Sequence, residues 1–170
     1  MTVALLLLAL VATAPGWLLR DTSPAHAAGA LLGVLAVAGL AVWMVYDPAW
    51  VTGSPASEGT HLVLTGLLAV FGGGPVAAAA LHRVEVDGEV EQAGCVLRGG
   101  AWIGAMERAA IFATVVAGWP EGLAVVLALK GLGRYPELRR PGAAERFIIG
   151  SFVSVLWALA AAGLMVAFRG

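Results

Sequence analysis

The sequence predicts an all-α membrane protein, a single integral membrane domain built as a bundle of about six transmembrane helices. Of its 170 residues, 60% are hydrophobic and 12% are charged, whereas soluble domains are about 45–50% apolar and about 25% charged. Such a chain has too few charged side chains to cover a water-soluble globule, which excludes a soluble enzyme and a disordered tail. The net charge of −1 also excludes a nucleic-acid partner. The 23 glycines suit close packing of helices in lipid.

Long apolar stretches predict the individual helices, since about 20 mostly apolar residues cross a hydrocarbon core of about 30 Å. Four stretches carry no Asp, Glu, Lys or Arg, namely residues 2–19, 26–46, 61–81 and 147–168. A fifth stretch, residues 100–134, is interrupted by Trp119-Pro120-Glu121-Gly122, a turn signal that divides it into two short helices. The predicted spans are 2–19, 26–46, 61–81, 100–118, 121–133 and 146–168.

The first apolar stretch has a second interpretation as a signal peptide, because Ala12-Thr13-Ala14 resembles a small-residue cleavage site. A signal peptide normally begins with a positively charged region, and no Lys or Arg precedes this stretch. The sequence therefore favours a retained helix over a cleaved one.

The ten basic residues are distributed unevenly between the two ends of the predicted helices. Only Arg169 falls on the side of the termini. The other nine lie in or near the opposite loops: Arg20, Arg83, Arg98, Arg108, Lys130, Arg134, Arg139, Arg140 and Arg146. Under the positive-inside rule, this asymmetry predicts a multi-pass protein of the bacterial inner membrane with both termini outside. Trp157 lies in the middle of its span and is predicted to face another helix.

Two loops differ in composition from the others. Residues 47–60 are rich in Pro, Gly, Ser and Thr, which predicts an irregular outer loop. Residues 83–92 alternate Val with charged residues around Asp87-Gly88, a strong short-range signal for a tight turn. The second pattern favours a small cytoplasmic β-hairpin.

Glu107, Arg108 and Lys130 form the candidate intramembrane polar site, because charges near the hydrocarbon are costly and usually have a partner. A turn between the fourth and fifth helices brings Glu107 within reach of Lys130, although the two are not equidistant from it. The sequence favours a simpler interpretation, in which Arg108 and Lys130 extend to the cytoplasmic headgroups and Glu107 neutralises one of them.

A second charged cluster lies between the last two predicted helices. Its candidate headgroup-binding residues are Arg134, Arg139, Arg140 and Arg146, because cations near an anionic leaflet gain about 1 kcal/mol each. An anionic lipid headgroup is the partner this cluster would take. The same cations also set the orientation of the chain, and the sequence favours that role alone.

The third predicted helix contains a candidate break at Gly72, Gly73, Gly74 and Pro75, since proline lacks a backbone donor and glycine has low helix propensity. Broken helices expose backbone groups to substrates in many transporters. Glycine and proline are also ordinary in membrane helices, which is the favoured interpretation. Small-residue pairs such as Gly29/Gly33, Gly100/Gly104 and Gly118/Gly122 permit close helix contact within the chain or in a homo-oligomer.

No cofactor or metal site is predicted. His26, His61 and His82 are far apart in sequence, and Cys95 is the single cysteine, so no set of zinc ligands has suitable spacing. The common hydrolase, metalloprotease and phosphate-binding motifs are missing from the sequence, so the prediction leans away from an enzyme.

Three segments resemble a module of uncharacterised bacterial polytopic membrane proteins, over about Gly100 to Ala162. The three segments are Gly100-Ala-Trp-Ile-Gly-Ala-Met-Glu-Arg, Leu127-Ala-Leu-Lys-Gly-Leu-Gly-Arg-Tyr-Pro-Glu-Leu and Glu145-Arg-Phe-Ile-Ile-Gly-Ser-Phe-Val-Ser. The resemblance implies a shared structural unit that gives Glu107, Arg108, Lys130, Arg134, Glu145, Gly150 and Ser151 a joint context. It implies no activity, and the first 99 residues have no part in it.

Three functions are compatible with these features. The first is transport or permeation of a small solute or ion past Glu107, Arg108 and Lys130. The second is a non-catalytic membrane partner or scaffold subunit that packs against another membrane protein. The third, least favoured, is a lipid-modifying enzyme with its site at the cytoplasmic face.

Overall fold

The computed structural model describes residues 2–13, 28–29, 31–39, 55–84, 100–136, 139 and 143–169. Over these residues the fold is all-helical and contains no strand. The helices are α1 (Thr2–Thr13), α2 (31–39, with 28 and 29 also helical), α3 (Pro55–Leu67, a π-helical turn over Leu68–Gly72, then Gly73–Val84), α4 (Gly100–Val116), α5 (Glu121–Arg134) and α6 (Ala143–Arg169).

Two of these helices are long and apolar enough to cross a membrane, judged by length and composition. They comprise Glu58–Leu81 of α3 and Ala144–Arg169 of α6. The all-helical prediction is thus confirmed for the described residues, whereas the number of six spans stays a prediction.

Helix α6 lies at the centre of the packing and contacts α3 and α4, while α1 packs on α3. One core cluster joins α1, α2, α3 and α6 through Leu6, Ala9, Val37, Leu68, Trp157 and Leu164. A second joins α3, α4 and α6 through Ala69, Phe112, Ala161, Ala162, Met165 and Phe168. Ala158, Ala161 and Ala162 of α6 are fully or almost fully buried, because small side chains let neighbouring backbones approach closely.

The outer surface of the bundle is apolar on every helix. Each helix presents at least one large hydrophobic side chain that is more than half exposed, for example Leu8, Leu35, Val63, Trp102, Leu132 and Phe152. Soluble monomers rarely expose contiguous apolar patches of more than a few hundred Å². The distribution suits a chain whose surface is in contact with lipid or with other apolar chains.

The turn between α4 and α5 is a Schellman motif. Gly118 has a φ of 73°, and its amide donates to Val115 O at 3.0 Å while Trp119 N donates to Thr114 O at 2.8 Å. Both bonds satisfy carbonyls that the end of α4 leaves open. At the start of α5, a Cβ on Gly122 would lie 2.5 Å from Thr114 Cγ2, so glycine is needed for the close approach. The predicted pair of short helices is confirmed.

Two loop predictions need correction. Helix α3 begins at Pro55, so residues 55–60 are helical and the prediction of an irregular loop there is wrong. Proline is favourable at a first helical position, and Glu58 in the first turn complements the helix dipole. Residues 47–54 lie outside the described residues.

The predicted β-hairpin does not begin at Arg83, since α3 continues to Val84. The alanine-rich stretch before it has high helix propensity and carries the helix through both residues. The rest of the predicted hairpin, residues 85–92, lies outside the described residues.

Candidate functional site

Arg108 is buried between three helices, with 3% of its surface exposed. Its Nε and Nη2 atoms donate to Val70 O of α3 at 2.9 and 2.7 Å. Its Nη1 atom donates to Ser154 Oγ of α6 at 3.2 Å. The expectation that Arg108 extends to headgroups is therefore wrong, because its donors bind partners inside the bundle.

The carbonyl that Arg108 binds belongs to the π-helical turn Leu68–Gly72. Pro75 has no N–H, so in the i→i+5 spacing of a π turn it cannot donate to Val70 O, which lies five residues before it. Arg108 supplies two donors to Val70 O. A Cβ on Gly73 would lie 2.5 Å from Arg108 Cδ, so glycine at this position gives the arginine its path.

The predicted break at Gly72–Pro75 takes a different form in the structure. Helix α3 resumes α-helical geometry at Gly73 and continues through Pro75 to Val84. The irregularity is the π turn, which ends at Gly72. The helix is thus distorted before the proline and is not interrupted, because side chains of α4 and α6 satisfy carbonyls of the turn.

Trp157 provides the second of these side chains. It is 6% exposed, and its Nε1 donates to Leu68 O at 2.9 Å. The indole lies against Gly72 and Gly73, where any Cβ would overlap it. The prediction that Trp157 faces another helix is confirmed.

Glu107 and Lys130 form an ion pair between α4 and α5, in which Lys130 Nζ donates to Glu107 Oε2. The two side chains are 14% and 15% exposed respectively. Lys130 Nζ also lies 5.8 Å from the ring centroid of Phe147 in α6, within reach of a cation–π interaction. Glu107 and Lys130 are not equidistant from the turn, and their long side chains span the remaining distance. The role of the pair as a functional site stays a prediction.

These contacts leave Arg108 and the serines of α6 with unused hydrogen-bond donors. Arg108 has five N–H groups, of which the described contacts use three. Ser154 Oγ accepts from Arg108, and its own hydrogen has no acceptor among the described residues. Ser151 Oγ, one helical turn earlier, is buried without a hydrogen-bond partner in the described part of the chain. Arg108 thus has more N–H donors than the described acceptors bind.

The charges are also unequal. Arg108 and Lys130 are both cationic, while Glu107 supplies the one carboxylate of the predicted trio and binds Lys130. The three side chains together carry a formal charge of +1, and the guanidinium is the group left without a bound carboxylate. Sequence reasoning includes Ser151 only through the family resemblance and omits Ser154 and Val70. The Ser-x-x-Ser spacing in an otherwise apolar stretch is the sequence signal that indicates Ser151 and Ser154.

The far end of the bundle is closed by a second set of polar contacts. Arg169 binds Glu58 Oε1 at 2.8 Å and Val116 O at 2.9 Å. His61 is buried and stacks on Phe168, with ring centroids 3.8 Å apart. The start of α3, the end of α4 and the end of α6 therefore meet at one end of the molecule.

The predicted headgroup cluster is described only in part. Arg139 is exposed, and its guanidinium lies 5.2 Å from the Tyr135 ring while donating to the Tyr135 hydroxyl at 3.2 Å. Arg134 ends α5 and Arg146 lies in the first turns of α6, whereas Arg140 is outside the described residues. The headgroup-binding role of the four cations stays a prediction.

A metal centre finds no support in the described part of the chain, where no group of three His, Cys, Asp or Glu side chains could hold an ion. His26 and Cys95 lie outside it.

No family model matches the chain, and neither a curated protein nor a solved structure matches it. The resemblance of residues 100–162 to a bacterial membrane module stays a prediction.

Proposed function

We propose that the chain is a multi-pass inner-membrane protein that mediates transport or permeation of a small solute or ion. The observation that carries this proposal is the burial of Arg108 inside an apolar bundle, with N–H donors that have no acceptor among the described residues. A charged group at membrane depth is costly, and such residues typically mark substrate or ion pathways.

The depth of Arg108 supports this interpretation. Its partner Ser154 lies near the middle of the 27-residue α6, which has the length and composition of a membrane span. In a spanning helix of that length, the middle residues lie near the bilayer midplane. Substrate sites of secondary transporters commonly occur at this depth beside irregular helices, and π-helical turns occur frequently at functional sites.

The proposed orientation has both termini outside. The contacts of Arg169 with Glu58 and Val116 support the antiparallel arrangement that alternating spans require. Arg134 ends α5, Arg139 follows it and Arg146 lies near the start of α6. The positive-inside rule assigns these cations to the cytoplasmic side. Labelling of terminal tags on intact cells tests this: both tags should react, and a protected terminus would overturn the orientation.

Transport is tested with purified protein in liposomes. Ion- and solute-selective fluxes are measured across a panel containing a proton gradient, sodium, potassium, iodide and a neutral polyol. We expect one class to pass faster than through protein-free vesicles, and Arg108→Gln to slow it at least about tenfold, equivalent to about 1.4 kcal/mol. Arg139→Gln, which removes an exposed guanidinium, is the matched control and should leave the flux unchanged. No flux above the empty-vesicle rate would overturn the proposal.

One observation favours the second candidate, a non-catalytic membrane partner or scaffold. Helix α5 has 14 residues and is about 21 Å long, shorter than the hydrocarbon core of about 30 Å. Short spans are accommodated by bilayer thinning or by association with other helices. Measuring the mass of the protein in nanodiscs distinguishes bilayer thinning around a monomer from association of several copies. A monomer at all concentrations would argue against a homo-oligomer.

A further inference from the structure

We propose that Tyr135 and Arg139, at the end of α5, form a binding site for an anionic phospholipid together with the exposed leucines beside them. The guanidinium binds the headgroup phosphate, and an acyl chain lies along α5. The inference goes beyond the proposed function, because it concerns the lipid around the bundle. It requires neither transport nor a particular orientation of the chain.

The first argument is the level of Tyr135 in the bundle. The Glu107–Lys130 pair sets the register of α4 against α5. Tyr135 follows Lys130 by five residues and Trp102 precedes Glu107 by five, so the antiparallel helices carry the two rings at about the same level. Tyr135 is 57% exposed and Trp102 is 75% exposed. Exposed Tyr and Trp side chains are typical of the headgroup level of a bilayer, which assigns that level to the end of α5.

The second argument is the guanidinium of Arg139. This exposed group lies 5.2 Å from the centroid of the Tyr135 ring, and its Nη2 donates to the Tyr135 hydroxyl at 3.2 Å. Arginine has five N–H groups, and the described contacts of Arg139 use one of them. Tyr135 therefore holds the guanidinium at the surface with donors left for a ligand. The planar fork of a guanidinium matches the oxygens of a phosphate in bidentate geometry.

The third argument is the local charge. Residues 134–146 contain four arginines and two glutamates, a formal charge of +2. The ends of the two helices are close together, because Lys130 Nζ lies 5.8 Å from the ring centroid of Phe147. Arg134 lies one turn after Lys130 and Arg146 directly precedes Phe147, so both cations belong to this end of the bundle. The excess charge attracts an anionic headgroup and repels the ammonium group of a choline headgroup.

The fourth argument is the apolar surface directly beside these cations. Leu132 lies three residues before Tyr135 and is 72% exposed, and Leu129 lies three residues before Leu132 and is 65% exposed. Side chains three apart are neighbours on a helix surface, so the leucines continue from the tyrosine along α5. An acyl chain covers them while its headgroup reaches Arg139. Cations next to exposed leucines therefore fit a phospholipid better than a soluble phosphate.

Native mass spectrometry of the full-length protein in detergent tests the site. The protein is mixed with equal amounts of phosphatidylglycerol and phosphatidylcholine that have identical acyl chains, and the first lipid retained is identified by its mass. The wild type should retain phosphatidylglycerol preferentially. We expect Arg139→Gln to reduce this preference about fivefold, equivalent to about 1 kcal/mol for one cation beside an anionic headgroup.

Arg169→Gln is the matched control, because it removes the same charge from a partly exposed guanidinium at the other end of the bundle. There Glu58 and Val116 O bind the arginine, so the preference for phosphatidylglycerol should not change. An equal loss in both variants would show that overall charge attracts the lipid and would overturn the site. Equal retention of the two lipids by the wild type would overturn it as well.

Glycerophosphoglycerol, which is the same headgroup without acyl chains, distinguishes a lipid from a soluble phosphate. It should give no retained adduct at the concentration at which phosphatidylglycerol binds, and an equally abundant adduct would rule out a lipid as the occupant. Arg139→Gln remains the control for transport in phosphatidylcholine liposomes, where this site has no anionic ligand. Absence of flux with an intact lipid preference would remove the transport function and leave this site standing.

Discussion

Arg108 and Trp157 donate side-chain hydrogen bonds to the same π-helical turn of α3, Arg108 to Val70 O and Trp157 to Leu68 O. One donor comes from α4 and the other from α6. The turn is therefore stabilised by tertiary contacts on two sides. This relationship links the stability of the bundle to Arg108, the residue that carries the proposed function.

Replacing Arg108 should destabilise the protein. Arg108→Gln removes a donor pair and leaves Val70 O without its described partner, at a cost of about 1–3 kcal/mol in unfolding free energy. Thermal unfolding in detergent, followed by circular dichroism, measures the loss. Arg139→Gln is the control and should change stability by less than about 0.5 kcal/mol, because the residue is exposed. Equal midpoints for the two variants would contradict a structural role for the Arg108 contacts.

Gly73 should not tolerate a side chain. Gly73→Ala places a Cβ against Arg108 Cδ and Trp157 Cδ1, and overpacking of this kind costs about 1–3 kcal/mol. Gly131→Ala is a matched change in α5, where nothing lies within 4 Å of the added atom. It should stabilise by up to about 1 kcal/mol through helix propensity. Both midpoints come from the same unfolding assay, and opposite signs are the expected outcome.

Removing one charge of the Glu107–Lys130 pair should destabilise the protein more than removing both charges. Glu107→Gln leaves the ammonium of Lys130 without its carboxylate and should cost about 2–3 kcal/mol, less than the about 3–5 kcal/mol of a fully buried pair. The double variant Glu107→Gln/Lys130→Met removes both charges and should regain most of that loss. If the double variant is no more stable than Glu107→Gln, the ion pair is not the cause.

Pro75 and Arg108 should be energetically coupled. Pro75→Ala restores an amide that can donate to a carbonyl of the π turn, so the contribution of Arg108 to Val70 O becomes less necessary. A double-mutant cycle of Pro75→Ala and Arg108→Gln should give an interaction energy of about 0.5–3 kcal/mol. Additive effects within about 0.3 kcal/mol would show that the proline and the arginine act independently.

The sequence predicts the parts of this fold that depend on short segments. The hairpin of α4 and α5 follows from Trp119-Pro120-Glu121-Gly122, and its Gly118 adopts the left-handed conformation that a Schellman turn needs. The inward position of Trp157 follows from a polar N–H in the middle of an apolar stretch. In both cases the signal and its structural consequence lie within a few residues.

Helix ends are predicted less well, because propensity and capping compete with loop composition. Helix α3 begins at Pro55, although the neighbouring residues are typical of turns. It extends through Arg83 and Val84, although these residues open the stretch in which Val alternates with charged residues. These differences of a few residues decide whether a segment is assigned to a loop or to a helix.

The sequence by itself determined that the chain is helical and apolar, that α4 and α5 form a hairpin, and that Glu107, Arg108 and Lys130 are unusual in position. Only the tertiary structure decided that Lys130 binds Glu107, that Arg108 turns inward to Val70 O, and that Ser154 binds the same guanidinium. The physical reason is rotation about the helix axis. A helix that is apolar on all sides has no polar face to fix which side meets a neighbour, so the partners of each side chain depend on how glycines, alanines and bulky residues of different helices interlock.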